Sequence, residues 1–376
     1  MPTARRTIVV VGATGNQGSG VVRALLGSKS TGSNLWLVRG LTRDPNSAKA
    51  QAFLAEHQTV DGRLTLVPGH VYDKASLQEA FAGAYGVFAM ASESYPGRVL
   101  SKKEEMQHEI EAGRNMVLAA EECGIKHFVF SSLPDMVKTT GGRFLNIHHM
   151  NNKFVLFLGS SISVRCYEGF ANSKLFGKVS FILTSGGLSI ASGEVGELTV
   201  STADGVVQFR IPIPGYQTMQ WTDPIHDMGT FAASKSICAT INRMCLKESW
   251  KRLTISLYLG GVFNLGVEKT HGESYLVLGP RISAHEMVQT FTRVTGQAAV
   301  HEPISAEEFG ELAVPFVGPA FKEDATEMME WIAVMPADKI CYGALDADQD
   351  HSVTELGLSA TSFESWLYRS GWRGPT

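Results

Sequence analysis

The chain has 376 residues, of which 44% are apolar and 19% are charged, with a formal net charge of −4 at pH 7. This composition is typical of a folded globular protein with one large domain, or with a main domain and a smaller one, and excludes an intrinsically disordered chain. Because 33 basic residues stand against 37 acidic ones, there is no basic excess to bind a nucleic-acid backbone, and we expect no direct nucleic-acid binding.

Cysteine usage and apolar runs bear on the cellular compartment. The five cysteines are scattered and form no Cys-x-x-Cys pair, which favours a reducing compartment and predicts no metal site. The N-terminal residues lack the apolar run of a signal peptide, and glycines interrupt the longest apolar stretch, 253–267. Since a membrane-spanning helix needs ~20 apolar residues, the sequence predicts a cytoplasmic protein without a membrane span.

Strand and helix patterns alternate through the first third of the chain. Five short runs rich in β-branched and aromatic residues are predicted strands, at 7–12, 35–42, 64–67, 86–91 and 127–131. A long helix precedes the fifth strand, because Ser101 and Glu104 have the spacing of a capping box and Gly124 takes the position after the helix end. This alternation predicts an α/β fold, a Rossmann doubly wound parallel sheet.

The pattern changes in the second half of the chain. Residues 146–158 predict another helix and 163–165 a sixth strand, whereas after Lys174 glycines separate short runs that predict a small β-meander. Three further capping boxes predict a mostly helical C-terminal part: Ser283 with Glu286, Ser305 with Glu308, and Thr361 with Glu364.

These patterns divide the chain into two predicted domains. A Rossmann domain covers 1–175, and segments around 215–232 return to it. A smaller α+β domain over 176–376 is mainly a cap. We interpret the segments at 178–215 and 250–272 as insertions that build a pocket, for which Met219, Trp221 and Phe263 are candidate lining residues, although large apolar side chains at such spacing are more often core.

A glycine-rich turn follows the first predicted strand. Gly12 permits a tight exit from the strand, Gly15 lets the backbone approach a pyrophosphate, and Gly18 allows close packing of helix against strand. The residues between and after them, Thr14, Asn16 and Gln17, complete the predicted cofactor-binding turn. Three glycines in such a turn can be turn chemistry alone, but an apolar strand before them and an amphipathic helix after them favour dinucleotide binding.

The end of the second strand predicts which dinucleotide binds. An acidic residue there would bind the ribose 2′-hydroxyl of NAD, and a basic one would accept the 2′-phosphate of NADP. Arg43 comes first, and its planar guanidinium suits a phosphate, so we predict NADP(H). Asp44 follows directly, and a surface pair between Arg43 and Asp44 is the alternative.

Several motifs of this sequence resemble the NmrA-like family of atypical short-chain dehydrogenases/reductases, which includes relatives of isoflavone reductase. The motifs are Val-Val-Gly-Ala-Thr-Gly-Asn-Gln-Gly at 10–18, Leu-Thr-Arg-Asp-Pro at 41–45, Lys-His-Phe-Val-Phe-Ser-Ser at 126–132, and Val-Arg at 164–165 before Gly-Phe-Ala-Asn at 169–172. The resemblance is specific through about residue 175. His70 and Cys166 depart from the family pattern, which usually has aspartate and proline there.

The family resemblance implies a Rossmann domain with a small substrate domain, and it allows two classes of function. Some members are NADP(H)-dependent reductases of small, often aromatic or polycyclic, secondary metabolites. Others are catalytically silent dinucleotide sensors that bind transcription factors. At the ends of the fourth and fifth predicted strands we expect Ala91 and Ser131 to contact the cofactor.

Family enzymes use Tyr-x-x-x-Lys, and here His149 stands four residues before Lys153. Positions i and i+4 share a helix face, so both side chains can reach one cofactor. We hypothesise that Lys153 binds the nicotinamide ribose, that His149 donates or relays a proton, and that Ser132 or Ser131 binds a substrate carbonyl. Tyr167 is a reserve acid. The plainer interpretation is that the histidine and the lysine are ordinary helix-surface residues.

The sequence therefore favours an NADP(H)-dependent oxidoreductase that transfers hydride to a carbonyl, enone, imine or quinone-like small molecule in secondary metabolism. A catalytically silent NAD(P) sensor that binds a transcription factor, with a nuclear location, is the alternative. A non-redox isomerase or cyclase on the same fold is a further one. A homodimer is also predicted.

Overall fold

The computed structural model describes residues 5–27, 36–158, 179–184, 186–187, 198–233 and 261–375, with backbone alone for 154–158, 179–184 and 186–187. The predicted strand at 163–165, the family departure at Cys166 and the reserve acid Tyr167 lie outside the described residues. No helix within these ranges is both long enough and apolar enough to cross a bilayer.

A parallel sheet of seven strands forms the centre of the fold. Its strands are β1 Thr7–Val10, β2 Leu37–Thr42, β3 Leu64–Pro68, β4 Gly86–Met90, β5 His127–Ser132, β6 Val179–Thr184 and β7 Ser274–Val277. They lie in the order β7-β6-β5-β4-β1-β2-β3, with every pair parallel. The first six strands have the Rossmann order, which confirms the predicted fold class. The order reverses between β1 and β4, so a ligand crevice is expected at their carboxyl ends.

Helices cover both faces of this sheet. They are α1 Asn16–Leu26, α2 Ala48–His57, α3 Lys74–Phe81, α4 His108–Glu122, α5 His148–Leu158, α6 His226–Ala233, α7 Ala284–Thr295, α8 Ala306–Val317, α9 Lys322–Val334 and α10 Phe363–Ser370. The burial of β1 explains the two layers, because Ile8 and Val10 pack into one apolar cluster and Val9 into another on the opposite face. A strand buried on both faces has the continuous apolar run seen here.

Two strands from the second half of the chain join the main sheet. β6 pairs with β5 and β7 pairs with β6, so the segment around Val179–Thr184 is not part of an appended meander as the glycine pattern predicted. The helix α6 also packs against the Rossmann helix α1 at glycines: a Cβ on Gly20 would lie 1.7 Å from the carbonyl oxygen of Ile225. Segments after residue 175 therefore contribute more to the Rossmann domain than the predicted segments around 215–232, because they also supply two strands of its sheet.

The remaining C-terminal segments form a separate apolar cluster with small sheets. Their short strands are Gly186–Gly187, Thr199–Ser201, Val207–Phe209, Thr218–Met219, Trp221–Thr222, Ile282–Ser283, Ala299–His301, Lys339–Ile340 and Leu345–Asp346. The apolar cluster of these segments includes Phe209, Phe291 and Trp366.

Short helical turns occur along the whole described part of the chain. They lie at Lys103–Gln107, Met136–Thr139, Val262–Leu265, Val267–Thr270, Pro319–Phe321, Ala347–Gln349 and Ser352–Leu356.

Helix starts test the capping predictions. The boxes at Ser283 and Ser305 are confirmed, with both reciprocal hydrogen bonds present. The box predicted at Ser101 with Glu104 is wrong, because it is the side chain of Glu105 that accepts from the backbone N–H groups of Ser101 and Lys102, at the start of a 3₁₀ turn before α4. The box predicted at Thr361 is wrong as well, since Ser362 caps α10 by accepting from the backbone N–H of Ser365. At both helix starts, a residue one position later than predicted makes the capping contact.

A buried histidine in β5 makes the fold sensitive to acid. Burial, with a smaller contribution from Arg6, lowers the pKa of His127 to about 3. The unfolded chain binds this proton near pH 6.5, so stability is present above that pH and is lost as the pH falls towards 3. Between pH 7 and pH 5, we expect urea unfolding to show a loss about 2 kcal/mol larger in the wild type than in His127→Gln. Equal losses in both proteins would contradict this assignment.

Candidate active site

The glycine turn lies at the crevice between β1 and β4. Gly12 has φ +67°, a conformation that side-chain-bearing residues rarely adopt. A Cβ on Gly18 would lie 2.2 Å from the carbonyl oxygen of Gly12, so only glycine allows α1 to start this close to the strand. Gly15 has ordinary backbone angles, and its Cβ would meet only that same carbonyl oxygen, at 3.3 Å. Both Gly12 and Gly15 are exposed, which leaves the turn open to a ligand.

The first turn of α1 presents backbone donors. Gly15 is its N-cap and supplies no side-chain hydrogen bond, and no acidic residue lies in the first turn. An uncapped helix start with a positive dipole end binds a phosphate readily. Thr14 is half-buried and Asn16 is exposed beside it. The side-chain oxygen of Gln17 is buried and has no hydrogen-bond partner in the part of the chain that the structure describes.

Arg43 lies at the carboxyl end of β2 and is exposed. Asp44 accepts a hydrogen bond from the backbone N–H of Asn46 at 2.8 Å, which fixes a turn. Within the described ranges Arg43 forms no ion pair, so its predicted alternative, a surface pair with Asp44, is absent there. Arg43 directly follows β2, in which the carbonyl oxygen of Leu41 accepts from the backbone N–H of Ala13 in the glycine turn at 3.3 Å.

The ends of β4 and β5 close the crevice. Met90 ends β4, and its Sδ would lie 3.6 Å from a Cβ on Gly12. Ala91 follows it and is buried, and Ser131 of β5 is the register partner of Met90. Ser132 is also buried, and its hydroxyl donates to the carbonyl oxygen of Leu133 at 3.4 Å. All four residues thus line the same carboxyl edge as the turn.

A buried ion pair anchors Lys153. Its Nζ donates to Oε1 of Glu109, on the first turn of α4, at 2.5 Å and to the carbonyl oxygen of His149 at 3.1 Å. Oε2 of Glu93, in the loop after β4, lies 4.0 Å from the same Nζ. Glu109 is fully buried, and its Oε2 has no hydrogen-bond partner among the described residues. The predicted ordinary surface role of Lys153 is wrong, since this side chain is 9% exposed.

A second buried carboxylate holds His149. Asp324, on α9 in the C-terminal part, is fully buried. Its Oδ1 lies 2.5 Å from Nδ1 of His149, and its Oδ2 accepts from the backbone N–H of the same residue at 2.8 Å. Within the described ranges Nε2 of His149 has no hydrogen-bond partner. The carboxylate therefore fixes both the ring orientation and Nδ1 as the protonated nitrogen.

Burial and charge move the pKa values of this network. Burial raises the pKa of Glu109 to about 7, although Lys153 acts in the opposite direction. Burial lowers the pKa of Lys153, but Glu109 and Glu93 outweigh it and the pKa is raised. For His149, burial again lowers the pKa, and Asp324 outweighs it, so the pKa of the imidazole is raised. The network thus holds a lysine cation and a histidine that keeps its proton to higher pH.

The loops after β3 and β4 contribute an aromatic cluster next to this network. Tyr72 stacks on Tyr95 with ring centroids 4.5 Å apart, and its hydroxyl lies 2.5 Å from Nδ1 of His108. Nε2 of His108 donates to the carbonyl oxygen of Glu93 at 3.1 Å. Burial raises the pKa of Tyr72 and lowers that of His108. His70 stays in the loop after β3, where its Nδ1 accepts from the backbone N–H of Tyr72.

Sequence reasoning found His149 and Lys153 but missed the carboxylates that bind them. Glu109 stands in the first turn of a predicted helix, where an acidic residue is commonly explained by the helix dipole. Asp324 is 175 residues from its histidine, so no local spacing could indicate the pair. Glu93 lies two residues before Tyr95 in the loop after β4, close to the predicted cofactor contact Ala91.

Comparisons with known proteins show which proteins this chain is similar to. Residues 4–156 match the NmrA-like family. The NmrA-like family domain-containing oxidoreductase malD of Malbranchea aurantiaca is 27% identical over 305 residues, which cover 80% of this chain and 76% of that protein.

Solved structures with the same fold include two bound to nucleotide. NmrA, a negative transcriptional regulator in complex with NADP, superposes with a TM-score of 0.60 at 17% identity and covers 98% of this chain and 92% of its own. The triphenylmethane reductase of Citrobacter sp., complexed with NADP(H), gives a TM-score of 0.56 at 17% identity over 96% of this chain and 99% of its own. At these identities the likeness establishes the fold, and over residues 4–156 this chain is similar to the NmrA-like family.

Proposed function

We propose that this chain is an NADP(H)-dependent oxidoreductase that transfers hydride to a carbonyl, enone, imine or quinone-like carbon of a small molecule. The observation that carries the proposal is the buried network of His149, Asp324, Lys153 and Glu109 at the same sheet edge as the glycine turn. The family match over residues 4–156 and the similarity to malD, which is named an oxidoreductase, support it. Secondary metabolism, an aromatic or polycyclic substrate, a cytoplasmic location and a homodimer stay predictions.

The residues around the crevice fit a dinucleotide. The exposed turn at Gly12 and Gly15 and the uncapped start of α1 would hold the pyrophosphate, and Arg43 would hold the 2′-phosphate. When bound, the nicotinamide supplies the hydride. Lysine has three N–H donors, and Glu109 and the carbonyl of His149 take two of those of Lys153, which leaves one for a ribose hydroxyl.

His149 would supply the proton that the substrate oxygen or carbon needs. With Nδ1 held by Asp324, the proton to be donated is on Nε2 of the imidazolium, and the neutral ring that remains is the Nδ1–H tautomer. The carboxylate also stabilises the charged ring before transfer. In this role a histidine replaces the tyrosine of Tyr-x-x-x-Lys enzymes. Ser132, at the end of β5, would orient the acceptor atom of the substrate.

Calorimetry with NADPH, followed by NADPH oxidation with a panel of cyclic ketones, enones and imines, tests this proposal. Binding of NADPH and turnover of one class would support it, and product analysis with and without NADPH separates a reductase from an isomerase or cyclase. NADPH binding without turnover across the panel would instead favour a sensor. The replacement of the usual tyrosine by His149 favours that second candidate, and recovery of a transcription factor in one nucleotide state alone would support it.

Two single substitutions distinguish the binding of the pyrophosphate by the glycine turn from the binding of the 2′-phosphate by Arg43. Gly15→Ala keeps allowed backbone angles but places a methyl group on the exposed turn, so we expect the Kd values of NADPH and NADH to rise about tenfold or more. Arg43→Ala should weaken NADPH alone by about tenfold. Calorimetry measures both, and an unchanged melting temperature of Gly15→Ala is the control for folding. An equal effect of Arg43→Ala on both nucleotides would contradict the 2′-phosphate role.

A further inference from the structure

An apolar cavity lies in the C-terminal part of the protein. Its empty volume is about 640 Å³, a figure that includes the opening to solvent. Its wall includes methionine and aromatic side chains, among them Met219, Trp221, Met328, Met335 and Tyr342, and none of the lining residues in the described ranges is charged. Two of the three predicted lining residues are thus found here, whereas Phe263 is buried in the core of the Rossmann sheet.

The cavity has a rigid frame. The side chain of Gln220 donates to the carbonyl oxygen of Gly279 at 3.1 Å and accepts from the backbone N–H of Cys341 at 3.2 Å. Cys341 and Tyr342 adopt the left-handed conformation, with φ +53° and +56°, and Trp331 donates to the carbonyl oxygen of Tyr342 at 2.8 Å. Such strained residues persist only where the surroundings over-determine them, and they cluster at ligand sites. The strained turn here brings Tyr342 to the cavity wall.

One lining residue has a polar atom without a partner. Trp221 is 6% exposed, and its Nε1 is buried with no hydrogen-bond acceptor among the described residues. A buried donor without an acceptor costs free energy that a ligand oxygen can recover. Methionine side chains repack easily, so those beside Trp221 can move to admit such an oxygen.

The cavity is connected to the proposed catalytic histidine through α9. Asp324, which binds His149, and Met328, which lines the cavity, are four residues apart and share one face of this helix. Met328, Met335 and Tyr342 also pack against the apolar cluster that contains Leu133, directly after β5. The cavity and the carboxyl edge of the sheet therefore share a wall.

We propose that this cavity binds the body of the substrate, an uncharged aromatic or fused-ring molecule with a carbonyl oxygen that accepts a hydrogen bond from Nε1 of Trp221. The absence of charged groups among the lining residues that the structure describes disfavours an ionised ligand, because such a group would lose its hydration without a counter-charge. The shape and polarisability of methionine and tryptophan suit flat ring systems. The identification of this ligand as substrate rests on the proposed function.

Three naphthalene probes test the cavity without any nucleotide. Equilibrium dialysis would compare 2-acetylnaphthalene, its hydrocarbon isostere 2-isopropenylnaphthalene, and ionised 2-naphthoate with the full chain. We expect the ketone to bind about fivefold to tenfold more tightly than the hydrocarbon, and the carboxylate to bind most weakly. Trp221→Phe should lower ketone affinity to that of the hydrocarbon and leave hydrocarbon affinity unchanged.

Trp372→Phe is the matched control, because Trp372 packs against Phe209 and Phe291 away from this wall. Met328→Arg, which places a charge in the cavity, should abolish binding of both neutral probes. Equal affinities for ketone and hydrocarbon, no binding of either, or an unchanged ketone affinity in Trp221→Phe would overturn the proposal. NADPH calorimetry on the same protein is independent, so failure of the cavity and failure of the dinucleotide site are distinguishable.

Discussion

His149→Gln is expected to lower kcat for a ketone or enone substrate by about 10²–10⁴-fold, the usual contribution of a positioned general acid. Glutamine can still donate to Asp324 but cannot supply a titrating proton, so the network and the nucleotide site should stay intact. Steady-state kinetics measures kcat, and NADPH calorimetry should give an unchanged Kd. A kcat close to that of the wild type would remove His149 from the mechanism.

Asp324→Asn tests the same step through pH. A general acid works while it is protonated, so activity falls as the pH rises through the pKa of His149. Asp324 raises that pKa, and the neutral amide cannot, so the variant should lose activity at lower pH than the wild type. A purely structural role would lower the melting temperature but leave the pH of the alkaline limb unchanged. Asp223→Asn, at a carboxylate that binds Arg369 elsewhere, controls for charge removal.

The range of each interaction decides how well it could be predicted. The glycine turn depends on seven consecutive residues, 12–18. The backbone of the turn itself explains why glycine is present at positions 12, 15 and 18, so the turn could be predicted from the sequence. His149 and Lys153 are related by helix periodicity, so their common face was predictable. Their carboxylate partners come from other elements, and Asp324 comes from the C-terminal part, so no spacing in the sequence identifies them.

Strand assignment shows the same limit. β6 carries the β-branched and apolar residues of a buried strand, but the glycines after it predicted a separate meander. Its place beside β5 is a long-range pairing, and β7 then extends the sheet from nearly 90 residues further along the chain. Local patterns predict that a segment is a strand; pairing across the sheet decides to which layer it belongs.

Lys153→Met is expected to destabilise the fold by about 3–5 kcal/mol, because it leaves the buried Glu109 without its cation. The carboxyl can escape part of this cost by binding a proton. Without the lysine its folded pKa rises further above the unfolded value, so the stability of the variant falls as the pH rises from about 5 to 8. Urea unfolding at several pH values measures this slope.

The double variant Lys153→Met with Glu109→Leu separates stability from cofactor binding. An apolar pair of similar size needs no counter-charge, so we expect most of the lost stability to return and the pH slope attributed to Glu109 to disappear. If the third donor of Lys153 binds the nicotinamide ribose, the double variant still binds NADPH several-fold more weakly than the wild type, because methionine donates no hydrogen bond. Wild-type NADPH affinity in a restabilised double variant would show that the lysine is an anchor between α4 and α5 and takes no part in holding the cofactor.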